Sequence, residues 1–312
     1  MSAPALVDRF ATGFQRTSIF RLPEGGFRWE RLPGEDRVSP QRIPSPELRE
    51  VLLDLNTAKL SFGLPEPSGG GLGYLTPGAT SAAKLLQVTA FSDIRLHLLP
   101  AVHDTGRLLR RLHTSVAQEL APPDGNAALT RLRSWLEHGD GPRAAGPLSR
   151  RLRQQLGSER WAAITDWCDS FLSGSARDVV LHGAPSTGSL VPGPTPGPAV
   201  LLAGEDIMRG QPEFDLGWLL GELLELRMLA AWRRIDRPEL VELGAALLAG
   251  YGGELDCDAL GRASILRILT HVHDFAAYVG WHPELLRYAD ALPSCIDSHG
   301  RAAPCGQERY PT

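Results

Sequence analysis

The chain has 312 residues, 43% of them hydrophobic, enough to bury a full core in one large or two unequal domains. A net charge of −4 and a pI near 6.1 exclude broad binding to nucleic-acid phosphates, which needs a dense basic surface. The opening Met1-Ser-Ala-Pro-Ala-Leu-Val-Asp-Arg9 has no extended apolar core and reads as no secretory signal; no segment suits a bilayer span, and four scattered cysteines fit a reducing, cytoplasmic setting.

From the start, Thr17 to Leu22 reads as a short strand that pairs with Gly26 to Arg31 across Pro23-Glu-Gly-Gly26. Leu48 to Leu60 is helical in pattern and carries Lys59, one of only two lysines. The run Ser68 to Tyr74 holds Gly69, Gly71 and Gly73, whose backbone amides form a candidate phosphate cradle. It lacks full GxGxxG spacing, so a plain flexible loop is the competing reading. Lys84, in Ala82-Ala-Lys-Leu-Leu86, looks superficially like a kinase strand lysine and is the candidate partner of that loop. A helix follows almost at once over Leu99 to His113, leaving no room for the further elements such a lysine needs. Its Arg107, Arg110 and Arg111 could hold an acidic partner, with a solvated helix face as the favoured reading.

A Pro/Gly break at Ala121 to Gly125 precedes Asn126, which can start a helix over Ala127 to Glu137. A longer helix runs from about Leu148 to Leu172 with Leu152, Leu156, Trp161, Ile164 and Trp167 on its apolar face. The strand Asp178 to Leu181 then runs into His182-Gly183, and a polar loop, Pro185 to Ser189, returns to Leu190-Val191. The proline-rich Pro192 to Pro198 is a hairpin tip, since it cannot be strand. Val200 to Leu202 is the second strand, followed by Ala203-Gly204-Glu205-Asp206 and by Gly210-Gln-Pro-Glu-Phe-Asp-Leu216. Leu216 to Trp232 is apolar almost all round, interrupted by Glu222 and Glu225, as expected of a helix buried in a lobe. Helices at about Pro238 to Tyr251, Asp258 to Val279 and Pro283 to Ala291 complete the pattern.

Two metal-like groups are weak. Cys295, His299 and Cys305 lack CxxC spacing, and His271 and His273 diverge on a helix. No Ser-His-Asp triad is visible, because Ser186 and His182 share one tight loop.

The stretch LHGAPSTGSL (Leu181 to Leu190), the hairpin and Gly210-x-Pro212-x-x-Asp215-Leu216 together resemble the aminoglycoside phosphotransferase and choline kinase-like family. The family's segment runs roughly HGDxxxxN, hairpin, hhIDxE, GxPxxDL, helix; Thr105 to His113 likewise resembles its GRxLAxLH helix. Laid residue by residue, the catalytic Asp falls on Ala184, the metal-binding Asn on Ser189 and the second metal-binding Asp on Ala203. Asp215 matches the structural Asp that buttresses the catalytic loop through backbone amides. The resemblance implies an α+β, bilobal protein kinase-like fold, with a reduced N-terminal lobe over residues 1–100 and a mainly helical C-terminal lobe over 101–312.

Phosphoryl transfer works by positioning and electrostatics: a carboxylate orients the attacking hydroxyl, and Asn and Asp hold magnesium on the phosphates. Alanine supplies neither base nor ligand, and one serine hydroxyl replaces an amide oxygen poorly. The reading is a pseudokinase that binds or scaffolds another protein or a peptide, with no cofactor and no metal expected. Relatives of this fold serve some lanthipeptide and thioamitide pathways, so modified-peptide biosynthesis is the implied setting. The alternative is a divergent phosphotransferase using ATP and magnesium on a small molecule or on Ser/Thr of a peptide. His182, Ser186, Glu205 and Asp206 would then be its working groups.

Overall fold

The computed structural model describes residues 3–88, 91–122, 126–194 and 197–300. Three antiparallel strands, β1 (Ala5–Ala11), β2 (Gln15–Arg21) and β3 (Phe27–Pro33), open the chain as a meander. Alternation sets their inner face: Thr17, Ile19 and Trp29 point inward and are buried. The β2–β3 turn falls on Pro23 to Gly26, where Gly25 and Gly26 take φ of +99° and +75°.

Helix α1 (Pro46–Asp54) starts with Pro46 in its first turn and with Ser45 as cap, its Oγ accepting from Leu48 N at 3.2 Å. The helical pattern read to Leu60 therefore stops early. Asn56 Oδ1 accepts from Phe62 N at 2.8 Å, turning the chain into β4 (Leu60–Gly63). Strands β5 (Glu66–Ser68) and β6 (Gly71–Thr76) complete a sheet of order β1-β2-β3-β6-β5.

The glycine run and Lys84 depart from their sequence reading. Gly69 and Gly70 form the β5–β6 turn at the sheet's edge, with nothing within 4 Å of a Cβ built on either; Gly71 and Gly73 lie in β6 itself. Lys84 is not on a strand. It lies in helix α2 (Ala82–Val88), and its Nζ pairs with Asp8 at 2.6 Å. The sheet is already finished at Thr76, and the helix between its strands is α1, placed ahead of the glycines.

Helix α3 (Phe91–Ser115) runs straight through Pro100, so the expected lobe boundary at residue 100 falls inside a helix. The chain leaves the sheet lobe at about residue 77. Helices α4 (Ala127–His138) and α5 (Ala145–Leu172) follow; Asn126 caps α4, and Gly157 breaks α5. Strands β7 (Val179–Leu181), β8 (Leu190–Pro192), β9 (Ala199–Leu202) and β10 (Met208–Gly210) make two small sheets, β10-β7 and β4-β9-β8. β4 belongs by sequence to the sheet lobe, yet it pairs parallel with β9, which ties the lobes together.

Helix α6 (Glu213–Trp232) is buried on nearly every side and packs on α8 (Cys257–Tyr278), while α7 (Pro238–Tyr251) packs on α3 and α9 (Leu285–Asp297) closes the end. The α6–α8 crossing needs Gly217: a Cβ there would sit 2.5 Å from Ala263 Cβ. Among the described residues no helix is long and apolar enough to cross a membrane. Cys168, buried, and Cys295 carry free thiols. Cys305 and the tip residues 195–196 lie outside the described residues, as do residues 123–125 of the break before Asn126.

Candidate functional site

The loop between β7 and β8 is built from below by one carboxylate. Asp215, in the first turn of α6, is fully buried and accepts from His182 N at 2.7 Å and Gly183 N at 2.9 Å. Its third partner is His113 Nε2 at 3.0 Å, whose Nδ1 meets the Tyr251 hydroxyl at 3.0 Å. A carboxylate only accepts, so Nε2 carries the proton in this pair. Gly183 has φ of +89°, and a Cβ there would lie 1.8 Å from Asp206 O, so no other residue fits. Its carbonyl accepts from Asn126 Nδ2 at 2.7 Å while Asn126 Oδ1 caps α4. His182 is buried, which holds its imidazole below the usual range and hence neutral, with Nε2 donating to Leu202 O at 3.0 Å.

The tip of the loop is equally saturated. Ser189 Oγ accepts from Ser186 N (3.0 Å) and from Ser186 Oγ (3.1 Å), and donates to Ser186 O (2.9 Å). A hydroxyl has two lone pairs and one proton, so nothing on Ser189 remains for a cation. Thr187 is clamped by Glu222 on α6 through its amide and its hydroxyl, both at 2.7 Å, and Thr187 O accepts from Ala83 N at 2.9 Å. Ala184 and Ala203 present methyl groups, and Ala203 is buried. The two positions expected to hold magnesium therefore do not fit it: Ala203 carries no donor, and Ser189 has spent its oxygen.

Glu205 and Asp206 lie beside this loop in different states. Glu205 forms an ion pair with Arg37 in which the two side chains are 8% and 6% exposed. Asp206 makes no hydrogen bond or ion pair among the described residues; it keeps a face to solvent, although protein surrounds it deeply on its other sides. Burial first, then the Glu205 charge, pushes its carboxyl up to about 6, against the pull of Arg131, Arg37 and Arg31. Arg37 and Arg131 both lie over the Phe14 ring, 4.6 and 4.5 Å from its centre, and Arg131 pairs with Asp274 at 2.9 Å.

Between the sheet and the hairpin part of the interlobe space is filled by packing, and beside it a cavity of about 330 Å³ is lined by Phe27, Gly78, Ala79, Leu98, Pro192 and Pro194 among others. Trp29, Ile19, Tyr74 and Leu72 meet Val191, Val200 and Leu202 in one cluster. Trp29 Nε1 donates to Gly78 O at 3.0 Å, and Thr76 Oγ1 donates to the same carbonyl at 2.8 Å, so its two lone pairs are taken. Gly78 is pressed on the hairpin: a Cβ there would sit 2.1 Å from Pro192 O. The five strands of the sheet contain no lysine. Its inner strand β3 offers Arg31, whose guanidinium lies 5.2 Å from the centre of the Tyr74 ring.

Sequence reasoning brought His182, Gly183, Ala184, Ser186, Ser189, Ala203, Glu205, Asp206 and Asp215 to one place, and Gly69, Gly71, Gly73 and Lys84 to others. It passed over Trp29, Arg37, Asn126's second role and Glu222. Glu222 left a trace as a charge in an otherwise apolar helix; Arg37, in an aperiodic segment, left none. His271 and His273 serve different partners, Glu225 at 2.6 Å and Asp274 at 2.8 Å, and no metal-holding group occurs among the described residues.

A sheet lobe and a helical lobe joined by such a loop and hairpin define a bilobal kinase-like fold. No protein-family model matches the chain, and no characterised protein matches it in sequence. Solved structures do. An ethanolamine kinase from Plasmodium vivax superposes with a TM-score of 0.55 at 11% identity, over 97% of this chain and 84% of its own. A spectinomycin phosphotransferase bound to ADP and spectinomycin gives 0.55 at 11%, over 96% and 88%. The choline kinase of Streptococcus pneumoniae gives 0.52 at 11%, over 90% of each chain. The chain has the aminoglycoside phosphotransferase and choline kinase-like fold.

Proposed function

We propose that this chain is a pseudokinase: a kinase-like fold that binds or scaffolds another protein or a peptide without transferring phosphate. The observation that carries the reading is the cluster between sheet and hairpin, where Trp29 and Tyr74 pack with Val191, Val200 and Leu202 and Trp29 holds the Gly78 carbonyl. The saturated Ser189, the methyl groups of Ala184 and Ala203 and the Arg37–Glu205 pair support it from the metal side. No nucleotide or metal is needed on this reading. A groove of about 580 Å³, lined by Phe14, Arg131, Trp135, His273 and Tyr278 among others, supports a binding role. So does the edge of β1, which among the described residues pairs on one side only and leaves Leu6, Val7 and Phe10 about half exposed. Modified-peptide biosynthesis is the setting we propose, on the family resemblance alone.

Titration calorimetry with ATP and Mg²⁺, together with phosphate release, tests the first half. We expect neither binding nor turnover, and turnover by the purified chain would refute the reading. Co-purification with proteins encoded alongside it tests the second half; a lone monomer whose absence changes no neighbour's activity would remove the scaffold. One observation favours a second reading, a divergent phosphotransferase: Asp206 is an unpaired cleft carboxylate with a pKa raised toward neutrality. Under that reading Asp206→Asn abolishes a turnover that the wild type must first display.

A further inference from the structure

The segment 34–45, between β3 and α1, makes contacts with both lobes. Gly34 N donates to Phe14 O at 2.9 Å and Asp36 N to Gly13 O at 2.8 Å, so the segment holds the β1–β2 turn from behind. That turn in turn touches the helical lobe: Gly13 N donates to Tyr278 O at 2.9 Å, and Phe14 stacks 5.1 Å from the Tyr278 ring. Arg143, also in the helical lobe, pairs with Glu35 at 2.8 Å and Asp36 at 2.9 Å, but Glu35 is 78% exposed and this outer pairing is screened by water. The inner pairing is different. Arg37 reaches Glu205 with both side chains almost withdrawn from solvent, its Nε donates to Ser39 O at 2.9 Å, and its guanidinium lies over Phe14.

Two adjacent carboxylates in a cleft repel each other and call for a cation. In this chain the two positions aligned with the metal ligands offer no free oxygen, Ala203 having none and Ser189 having spent its own within the loop, yet Glu205 and Asp206 remain. We propose that Arg37 is the resident counter-cation of this acidic corner, so that the segment 34–45 latches the β1–β2 turn onto the helical lobe without a metal ion. The inference rests on the pseudokinase reading. It adds a consequence: closure of the cleft belongs to the polypeptide, and any partner that enters the cleft must displace Phe14 and Arg37 together. A planar guanidinium suits the role better than an ammonium, because it can pair with Glu205, donate to Ser39 O and stack on Phe14 at once.

Hydrogen exchange at the amide of Gly13 reads the latch directly, because its bond to Tyr278 O breaks when the turn lifts. In the wild type we expect exchange there to be unchanged by millimolar Mg²⁺ or Mn²⁺. Arg37→Ala and Glu205→Gln should each speed it about tenfold or more while core amides of α8 keep their protection. The double variant should be no faster than the faster single one, as required if the two side chains act as a pair. Arg37→Lys should fall between wild type and Arg37→Ala. Slower exchange on adding Mn²⁺ to the wild type would overturn the proposal, as would additive single effects or unchanged exchange in Arg37→Ala. Should Arg37→Ala fail to fold, Glu205→Gln alone carries the comparison. Phosphate release from ATP on the same wild-type sample judges the pseudokinase reading separately, since it does not depend on how fast this amide exchanges.

Discussion

Asp215→Ala removes the one side chain that holds the loop, the α3 terminus and α6 together. Three donors lose their acceptor: His182 N, Gly183 N and His113 Nε2, at 2.7, 2.9 and 3.0 Å. Each is buried, and a buried donor left without an acceptor costs about 1–3 kcal/mol. The three costs do not add fully, because His113 can turn toward Tyr251 and because removing a buried charge recovers part of its desolvation penalty. A loss of about 3–5 kcal/mol is expected, a large part of a typical domain's stability. Asp215→Asn keeps one acceptor oxygen but points an NH₂ group at a donor, so it should cost about 2–3 kcal/mol. Urea unfolding followed by tryptophan fluorescence measures both, with the slope of the transition checked for constancy. A cost below about 1 kcal/mol for Asp215→Ala, the range of an exposed ion pair, would refute the role of Asp215 as the loop's buried support.

Other perturbations separate packing from polarity. Trp29→Ala should cost about 3–5 kcal/mol by leaving a cavity against the hairpin, whereas Trp29→Phe should cost much less, since Thr76 still donates to Gly78 O. Thermal melts of the two variants check the difference. Gly183→Ala should fail to give a native-like melt, because φ of +89° and contact with Asp206 O leave no room for a methyl group. Asp206 predicts a pH dependence with a definite sign. Its folded pKa, about 6, lies above the ordinary value of 3.8, so the folded state holds the proton more tightly. Stability is then greatest at low pH and falls as pH rises from about 4 to about 6. Asp206→Asn should therefore stabilise the protein above pH 6 and have little effect near pH 4. Because the carboxyl touches solvent, the gain is held to about 1 kcal/mol or less, read as the difference between wild-type and variant melts across pH.

Local chemistry was legible in the sequence wherever a rule acts over a few residues. The hairpin across Pro23 to Gly26, the Asn126 cap and the α7 limits follow from turn residues, capping and apolar period. The contact of Asp215 with the amides of His182 and Gly183 was legible too, through the resemblance of His182-Gly183 and Gly210-x-Pro212-x-x-Asp215-Leu216 to a known family's motifs. The same rules misplaced Lys84, because Ala-Ala-Lys-Leu-Leu suits a strand as well as a helix, and only the completed sheet ending at Thr76 decides between them. Gly69 and Gly70 form a turn in both readings; that Gly71 and Gly73 continue into a strand, and that the turn sits at a sheet edge away from the loop, depends on β6 pairing with β3 across more than forty residues. Likewise β4 gives no sign in its own residues that it will join β9 in parallel and bind the lobes. What the sequence determined by itself was that residues 184, 189 and 203 carry neither carboxylate nor amide, since no fold can supply an atom the side chain lacks. Tertiary structure decided the state of the groups that remain. Trp29 on the Gly78 carbonyl, Ser186 on Ser189, Glu222 on Thr187 and Arg37 on Glu205 are contacts that packing makes, and only the packing of one segment against another fixes which polar groups are spent and which, like Asp206, are left free.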